Sequence, residues 1–549
     1  MNLSNAVPKG LWPIVYKLNR NHMSTTARIG GGGGFWGDQT LAPLALIEQG
    51  ELDYLTIDYL SEVTMSIMHK QLVRDAEAGW ATDLADWLKA GGIGMLHSMN
   101  VKLVTNAGGA NPRACASMVL SAAAEIGWND CVVALVIGDD IGGRLSGIGA
   151  TGAKLEHMFD ASKGSLLDHT GKVVSANAYL GAGPIARALE RGADIVITGR
   201  VADASLIVGS MLHHQGWAKK AEAENLPLCG PIEQWHNGKN TLDIVAGWTI
   251  AGHLIECGAQ VTGGNSSDWL EIENLATLGY PIAEIGADGH CIIAKPLVSG
   301  GSITPRTVSE QLLYEIGDPS SYITPDCTVD LRAISLEQIA PNRVLVQGAV
   351  GISPPETLKV SATHRDGWMA AAELAVPGPT PRLKAEHLDR ILRQRLEHCK
   401  GLDIHCEFLG DGALLPPNLR VGLSIPSEII MRWVATSHNK MELAEFARSI
   451  APLVLTGPAG VCGYGARARA RELLRFFPTN IDRVLIEPQV HVRMLHSWRH
   501  ELELRMPWLE EHIFDRLEDM VATQGVKSRL AGRVLKRLER VKEGETIHD

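Results

Sequence analysis

The chain has 549 residues, 45% of them hydrophobic, and a formal net charge of −11; that length allows more than one domain with a large core, and the acidic balance tells against nucleic-acid binding, which needs a cationic footprint. No apolar run reaches the roughly 18–20 residues that a membrane-spanning helix needs, and residues 1–23 lack the unbroken apolar core of a secretory leader. Nine cysteines without a CxxC pair read as reduced thiols of a cytoplasmic protein, with no disulfide framework and no structural zinc site.

The first predicted element is a short apolar lead that runs into five consecutive glycines, Gly30 to Gly34, then Phe35, Trp36, Gly37 and Asp38. A helix is expected from Leu41 to Gln49. Glycine gives up the most backbone freedom on folding, so such a run calls for a close approach of the backbone to something. Gly32-x-Gly34-x-x-Gly37 fits the dinucleotide spacing, and Asp58 follows about twenty residues on. Asp38 at the expected helix start would repel a pyrophosphate, and Phe35 and Trp36 add bulk, so NAD is disfavoured. The alternatives are a tight turn with an Asp38 cap, or a substrate platform made of the amides of Gly31, Gly32, Gly33 and Gly34.

Further along, apolar runs repeatedly end in a polar or glycine-rich break and then a helix. Leu52–Asp58 leads to Glu62. Val101–Thr105 leads to Asn106, Gly108, Gly109 and Asn111. Cys131–Ile137 leads to Asp139 and Asp140, and Ala193–Thr198 leads to Arg200 and Asp203. This alternation predicts an α/β fold with a mainly parallel sheet and helices on both faces, and the polar residues fall at the strand ends where ligands bind in such sheets. Residues 141–185, including Ser175–Gly181 with Asn177 and Tyr179, read as loops over that edge. Shorter strands follow over 280–350. The main domain is placed at 24–352, a smaller α+β domain at 353–490 with a helix after Trp368 and another at Ala385–His398, and a charged helical tail at 491–549. In the tail, Leu530, Val534 and Leu538 form an apolar stripe suited to a surface or a partner.

The candidate chemistry sits at these breaks. Asp58 and Glu62, four apart, would share a face of a helix start and could divide acid and base roles. Asp139 could hold a hydroxyl or a metal, Asn106 and Asn111 could be an amide pair that orients a carboxylate or thioester oxygen or merely turn residues, and Asn177 is a further substrate-binding candidate. Arg200 is a candidate carboxylate or phosphate clamp, or an ion-pair partner of Asp203. Tyr179 could donate to an oxyanion or pack in the core. His253 and Glu256, three apart on a helix, have a metal or acid–base spacing, or a structural one. The HExxH, GxxxxGK[ST] and GxSxG patterns are absent.

Several longer strings occur in order: Arg28–Asp38, Asp58–Thr64, Thr105–Gly109, Gly138–Asp140, Asn177–Gly181, Thr198–Asp203, Gly252–Gly258, Val261–Gly264, Gln311–Ile316, Tyr322–Asp326 and, more loosely, Leu455–Gly460. With them the chain resembles the acyclic terpene utilisation (AtuA-like) family, formerly a domain of unknown function. It is similar to a short form of that family, without the C-terminal ferredoxin-like domain and its Arg-Ser-Gly-Asp-Lys type motif. The resemblance implies a place in the catabolism of branched acyl-CoA compounds or organic acids, and a small, separately encoded partner subunit. The expected function is a hydratase or lyase on a carboxylic acid or acyl-CoA, in a homo-oligomer of the cytoplasm. A divalent metal on the carboxylates stays open. The alternatives are a non-catalytic or partner-dependent binding subunit and a nicotinamide-dependent oxidoreductase.

Overall fold

Short apolar runs bounded by glycines become the strands of a computed structural model that describes residues 25–236, 238–420 and 426–494. The first eight strands are β1 (Thr26–Gly31), β2 (Tyr54–Ile57), β3 (Lys102–Thr105), β4 (Val132–Ile137), β5 (Val173–Ala178), β6 (Ile195–Thr198), β7 (Ile282–Gly286) and β8 (Cys291–Ala294). Then come β9 (Tyr322–Ile323), β10 (Thr328–Asp330), β11 (Ser335–Ala340), β12 (Arg343–Gln347) and β13 (Val350–Ile352). The last six are β14 (Thr357–Pro377), β15 (Asp403–Leu409), β16 (Glu428–Ser437), β17 (Cys462–Tyr464), β18 (Arg471–Asp482) and β19 (Gln489–Met494).

The large sheet has the order β11-β12-β8-β7-β1-β2-β3-β6-β4-β19. Its middle, from β1 to β4, is parallel. On one side β7, β8, β12 and β11 continue it antiparallel, and on the other β19 does so. The expectation of a mainly parallel sheet is therefore corrected to a mixed one. Only the βα repeats before residue 200 supply parallel strands. After residue 280, β7–β8 and β11–β12 are hairpins, whose short turns join antiparallel neighbours, and β7, β12 and β19 add antiparallel to β1, β8 and β4 across long stretches of chain.

Successive residues of β4 enter different cores. Val132, Ala134 and Val136 join one cluster and Val133 and Leu135 another, as the period of two demands. The helices Gly183–Glu190, Ser205–His214 and Thr241–Ile255 pack into the first core, and Ala42–Gly50 and Pro112–Glu125 into the second. The helix Thr241–Ile255 is apolar almost all round, and it is buried over most of its length.

The second sheet is built on β14, which pairs with β16, β17, β18 and β5. Where a helix is expected after Trp368, residues Met369–Val376 are nearly all small or apolar, alternate between buried and half-buried, and continue the strand against β16. Ser175–Ala178, expected as loop, lies in β5 and pairs with β14 at Val360–Thr363. The helices Pro381–Arg395 and Lys440–Ile450 cover this sheet around Trp433, Leu388 and Phe446. Residues 491–494, assigned above to a helical tail, complete β19 in the large sheet. The apolar stripe at Leu530, Val534 and Leu538 lies outside the described residues. All nine cysteines are free thiols. No helix among the described residues is long and apolar enough to cross a membrane.

The glycine run has a packing reason. A Cβ on Gly31 would lie 2.3 Å from the Ile255 carbonyl oxygen, and one on Gly34 would lie 2.8 Å from the Cys257 backbone. β1 and the loop after it thus press on the C-terminal end of the helix Thr241–Ile255, backbone against backbone. Gly31→Ala should lower unfolding free energy by about 1–3 kcal/mol through overpacking, seen as a lower denaturation midpoint in urea. An unchanged midpoint would show that the helix end gives way freely.

Candidate functional site

The breaks after β2, β3, β4 and β6 converge, and β14 closes them from the second sheet. After β2 the chain turns on Asp58, whose Oδ1 accepts the Leu60 amide at 2.9 Å and Asn106 Nδ2 at 2.6 Å. Asn106 Oδ1 in turn accepts the Tyr59 amide at 2.7 Å. Both groups of Asn106 are thereby used in holding the turn. The helix Glu62–Arg74 then starts at a Ser61/Thr64 capping box. Asp58 lies before that helix and is buried, while Glu62 opens it and is partly exposed. The idea that the two share one helix face is corrected. They are instead linked through Arg200, whose charge acts on both.

Arg200 is almost fully buried, at 2% exposure. Its Nη1 donates to the Leu60 carbonyl at 2.5 Å, Nη2 donates to Asp203, and its guanidinium lies 4.1 Å from the centre of the Tyr179 ring. Its Nε has no hydrogen-bond partner among the described residues. Burial works against this charge, but Asp203, Tyr179, Asp58 and Glu62 outweigh it and hold the arginine firmly protonated. Its backbone amide donates to Asp139 Oδ2 at 2.8 Å, and the same oxygen accepts Asn177 Nδ2 at 2.9 Å. Gly199 allows this: a Cβ there would sit 2.4 Å from Asp139 Oδ1. Asp139 and Asn177 therefore brace the turn that carries Arg200.

Tyr179 follows β5, and its amide donates to the Lys359 carbonyl of β14 at 2.9 Å. The pairing of β5 with β14 thus brings Lys359 to the centre, a residue that the sequence pattern did not single out. Lys359 Nζ is 4.7 Å from the Tyr179 ring centre and 3.0 Å from Glu62 Oε1, which also accepts the Tyr179 hydroxyl at 3.1 Å. Burial raises the Glu62 carboxyl, but Lys359 and Arg200 override it and bring its pKa down to about 2.

The helix Thr241–Ile255 delivers His253 and Glu256, with His253 Nδ1 3.0 Å from Glu256 Oε1. His253 Nε2 faces the Leu312 carbonyl at 3.3 Å. A carbonyl only accepts, so Nε2 carries a proton. The Nδ1–Oε1 contact needs one more, shared between imidazole and carboxyl. Both groups are shifted upward. For His253, burial opposes the charge and the bond to Glu256 prevails; for Glu256, burial and the charges of Asp203 and Glu315 prevail over His253. Asp58 is likewise raised well above its ordinary value, first by burial and then by Asp203. Asp203 therefore acts electrostatically on both buried carboxyls. Burial and Glu256 push the Cys257 thiol up, which opposes a thiolate nucleophile at that position.

The glycine loop meets this network through its backbone: the Asp58 amide donates to the Gly33 carbonyl at 3.2 Å and the Trp36 amide to the Tyr59 carbonyl at 3.2 Å. Asp38 does not cap the helix Ala42–Gly50, which begins after Leu41. Its Oδ2 accepts the Gly34 amide at 3.0 Å, Oδ1 accepts the Gln39 amide at 2.7 Å, and the Tyr280 hydroxyl donates to it. The chain's own carboxylate occupies the amide that a phosphate would use. Gly108 and Gly109 serve packing: a Cβ on Gly108 would meet the Thr198 carbonyl oxygen at 2.6 Å, and Gly109, at φ +49°, lies against Met68. Asn111 caps the helix Pro112–Glu125 through Ala114.

The centre thus draws on the same strings that repeat along the sequence. A family model described as "Acyclic terpene utilisation family protein AtuA" matches residues 27–492. The chain belongs to this family. Membership in AtuA implies a role in acyclic terpene utilisation, a catabolic pathway. No curated protein and no solved structure gives a match. All the side chains of the connected centre, from Asp58 to Lys359, fall inside the AtuA match.

Asp139 gives a measurable signature of this architecture. Burial raises its pKa to about 6 from an ordinary 3.8, so the folded state holds its proton more tightly than the unfolded state. Its contribution to stability is present below the lower value and is lost as pH rises through the upper one. Asp139→Asn should remove that loss. The difference in urea stability between wild type and variant should change across pH 3.8 to 6, and a pH-independent difference would contradict it.

Proposed function

We propose that the chain is an acid–base enzyme of the hydratase or lyase type, acting on a branched carboxylic acid or its acyl-CoA thioester. The observation that carries this reading is two buried carboxyls of unlike surroundings, Asp58 and Glu256, both raised by burial and by the Asp203 charge, with Glu256 alone paired to an imidazole, His253. A carboxyl whose pKa is raised by burial is suited to give a proton, and a carboxylate paired with an imidazole is suited to take one. Asp58 is suited to the acid role. Its Oδ1 takes both hydrogen bonds, which leaves Oδ2 to carry the proton.

In the direction of water loss, the His253–Glu256 pair takes the proton from the carbon next to the carbonyl. The electron pair left on that carbon delocalises onto the carbonyl oxygen. The positive field of Arg200 and Lys359 stabilises the enolate formed. The hydroxyl on the next carbon then leaves with the Asp58 proton as water, and the double bond forms as the enolate collapses. Arg200 acts through its field, because its Nη atoms are committed to Leu60 and Asp203. The more exposed Lys359 is the better placed cation for direct contact with an acid or thioester oxygen.

The purified full chain, given branched unsaturated and hydroxy acids as free acids and as CoA thioesters, should add or remove one water, read by mass spectrometry. Asp58→Asn and Glu256→Gln should each lower kcat by about 10²-fold or more with unchanged circular dichroism. Lys359→Ala should chiefly raise KM. Full turnover in folded Asp58→Asn and Glu256→Gln would overturn the assignment.

A further inference from the structure

A second cluster of donor side chains lies in the helical layer over β14, β15 and β16. The helix Pro381–Arg395 ends in a turn that carries His398 and Cys399, and the helix Lys440–Ile450 presents Glu445 beside them. His398 Nε2 is 2.7 Å from Glu445 Oε1 and 3.6 Å from Cys399 Sγ, and Cys399 Sγ is 3.8 Å from Glu445 Oε2. One donor atom from each residue comes within 4.8 Å of the others, the only such His, Cys, Asp or Glu group among the described residues.

We propose that His398, Cys399 and Glu445 form a binding site for a divalent transition metal of the Zn2+ class.

The donor chemistry is imidazole, thiolate and carboxylate, which suits Zn2+ and excludes the oxygen-only preference of Mg2+ and Ca2+. With bonds of about 2.0–2.3 Å, a tetrahedral ion spaces its donors by roughly 3.3–3.7 Å. The Cys399–His398 edge, at 3.6 Å, already has that length, and the Cys399 contact to the other Glu445 oxygen, at 3.8 Å, is slightly longer. The His398–Glu445 edge is shorter because a proton now bridges it, and it opens when a metal replaces that proton. Both side chains can move, since His398 is 60% and Glu445 40% exposed, while Cys399 is buried and fixed.

The surroundings add negative charge. Glu442, one turn before Glu445, accepts the Gly401 amide at 3.0 Å and the Ser437 hydroxyl at 2.6 Å, which anchors the turn after Cys399. Burial, Glu445 and Glu442 raise the Cys399 thiol, so a metal must displace its proton. Three protein donors leave a fourth position for water. The metal would clasp the turn after the helix Pro381–Arg395 to the helix Lys440–Ile450, on elements separate from those that carry Asp58, Arg200 and His253.

The test is Co2+ titration of the chelator-treated full chain. The expected result is a thiolate-to-cobalt absorption band in the near ultraviolet together with tetrahedral visible bands, both abolished by Zn2+. His398→Ala, at an exposed position that does not threaten folding, should weaken Co2+ binding at least tenfold, and Cys399→Ser should remove the near-ultraviolet band. Zn2+ should also raise the Tm of wild type and leave that of His398→Ala unchanged. Absence of the band in wild type, or an equal band in Cys399→Ser, would overturn the proposal.

Discussion

A guanidinium held out of water is the constraint on which the candidate centre depends. Moving such an ion from water into protein costs on the order of several kcal/mol unless charge and hydrogen bonds surround it. Arg200 meets that requirement from every side. Asp203 pairs with it, the Leu60 carbonyl receives it, the Tyr179 ring lies against its face, and Glu62 adds negative charge. Each of these groups is therefore fixed in place by the same charge. The carboxyls do not ionise with equal ease so close together: burial and the Asp203 charge raise Asp58 and Glu256, while Lys359 holds Glu62 ionised.

Two further features follow from placing that charge at a strand end. The turn after β6 must be tight enough to aim Arg200 inward, and Gly199 provides the space by lying against Asp139. The site must also be closed from above, and that comes from the second sheet. β14 pairs with β5, positions Tyr179 through the Lys359 carbonyl and brings the Lys359 ammonium onto Glu62. The first half of one long strand thus completes a centre whose other parts lie at the ends of the large sheet's strands.

Much of this was legible along the chain. Apolar runs that end in Asp58, Asn106, Asp139 and Arg200 mark strand ends, and the structure brings those residues into one connected network. The His253–Glu256 spacing on an apolar helix likewise brings the two side chains into contact. The glycine run was harder to read, because glycine records only that something is close. Nothing local distinguishes a ligand from the backbone of Ile255 and Cys257, which lie more than two hundred residues away. The strand after Trp368 and the strand at Ser175 were obscured by small residues, which suit helix, loop and edge equally until a neighbouring strand selects among them.

The sequence by itself determined the alternation of strand and helix before residue 200, the polar residues at the strand ends, the membership strings and the reduced state expected of the cysteines. These depend on local periodicity and on residue chemistry, which neighbours along the chain express directly. Only the tertiary structure decided the mixed order of the large sheet, the joining of β5 to β14, the arrival of Lys359 and the meeting of His398 and Cys399 with Glu445. Each of these needs two segments far apart in the chain to pair or pack. Strand pairing and donor geometry are properties of that contact, not of either segment alone.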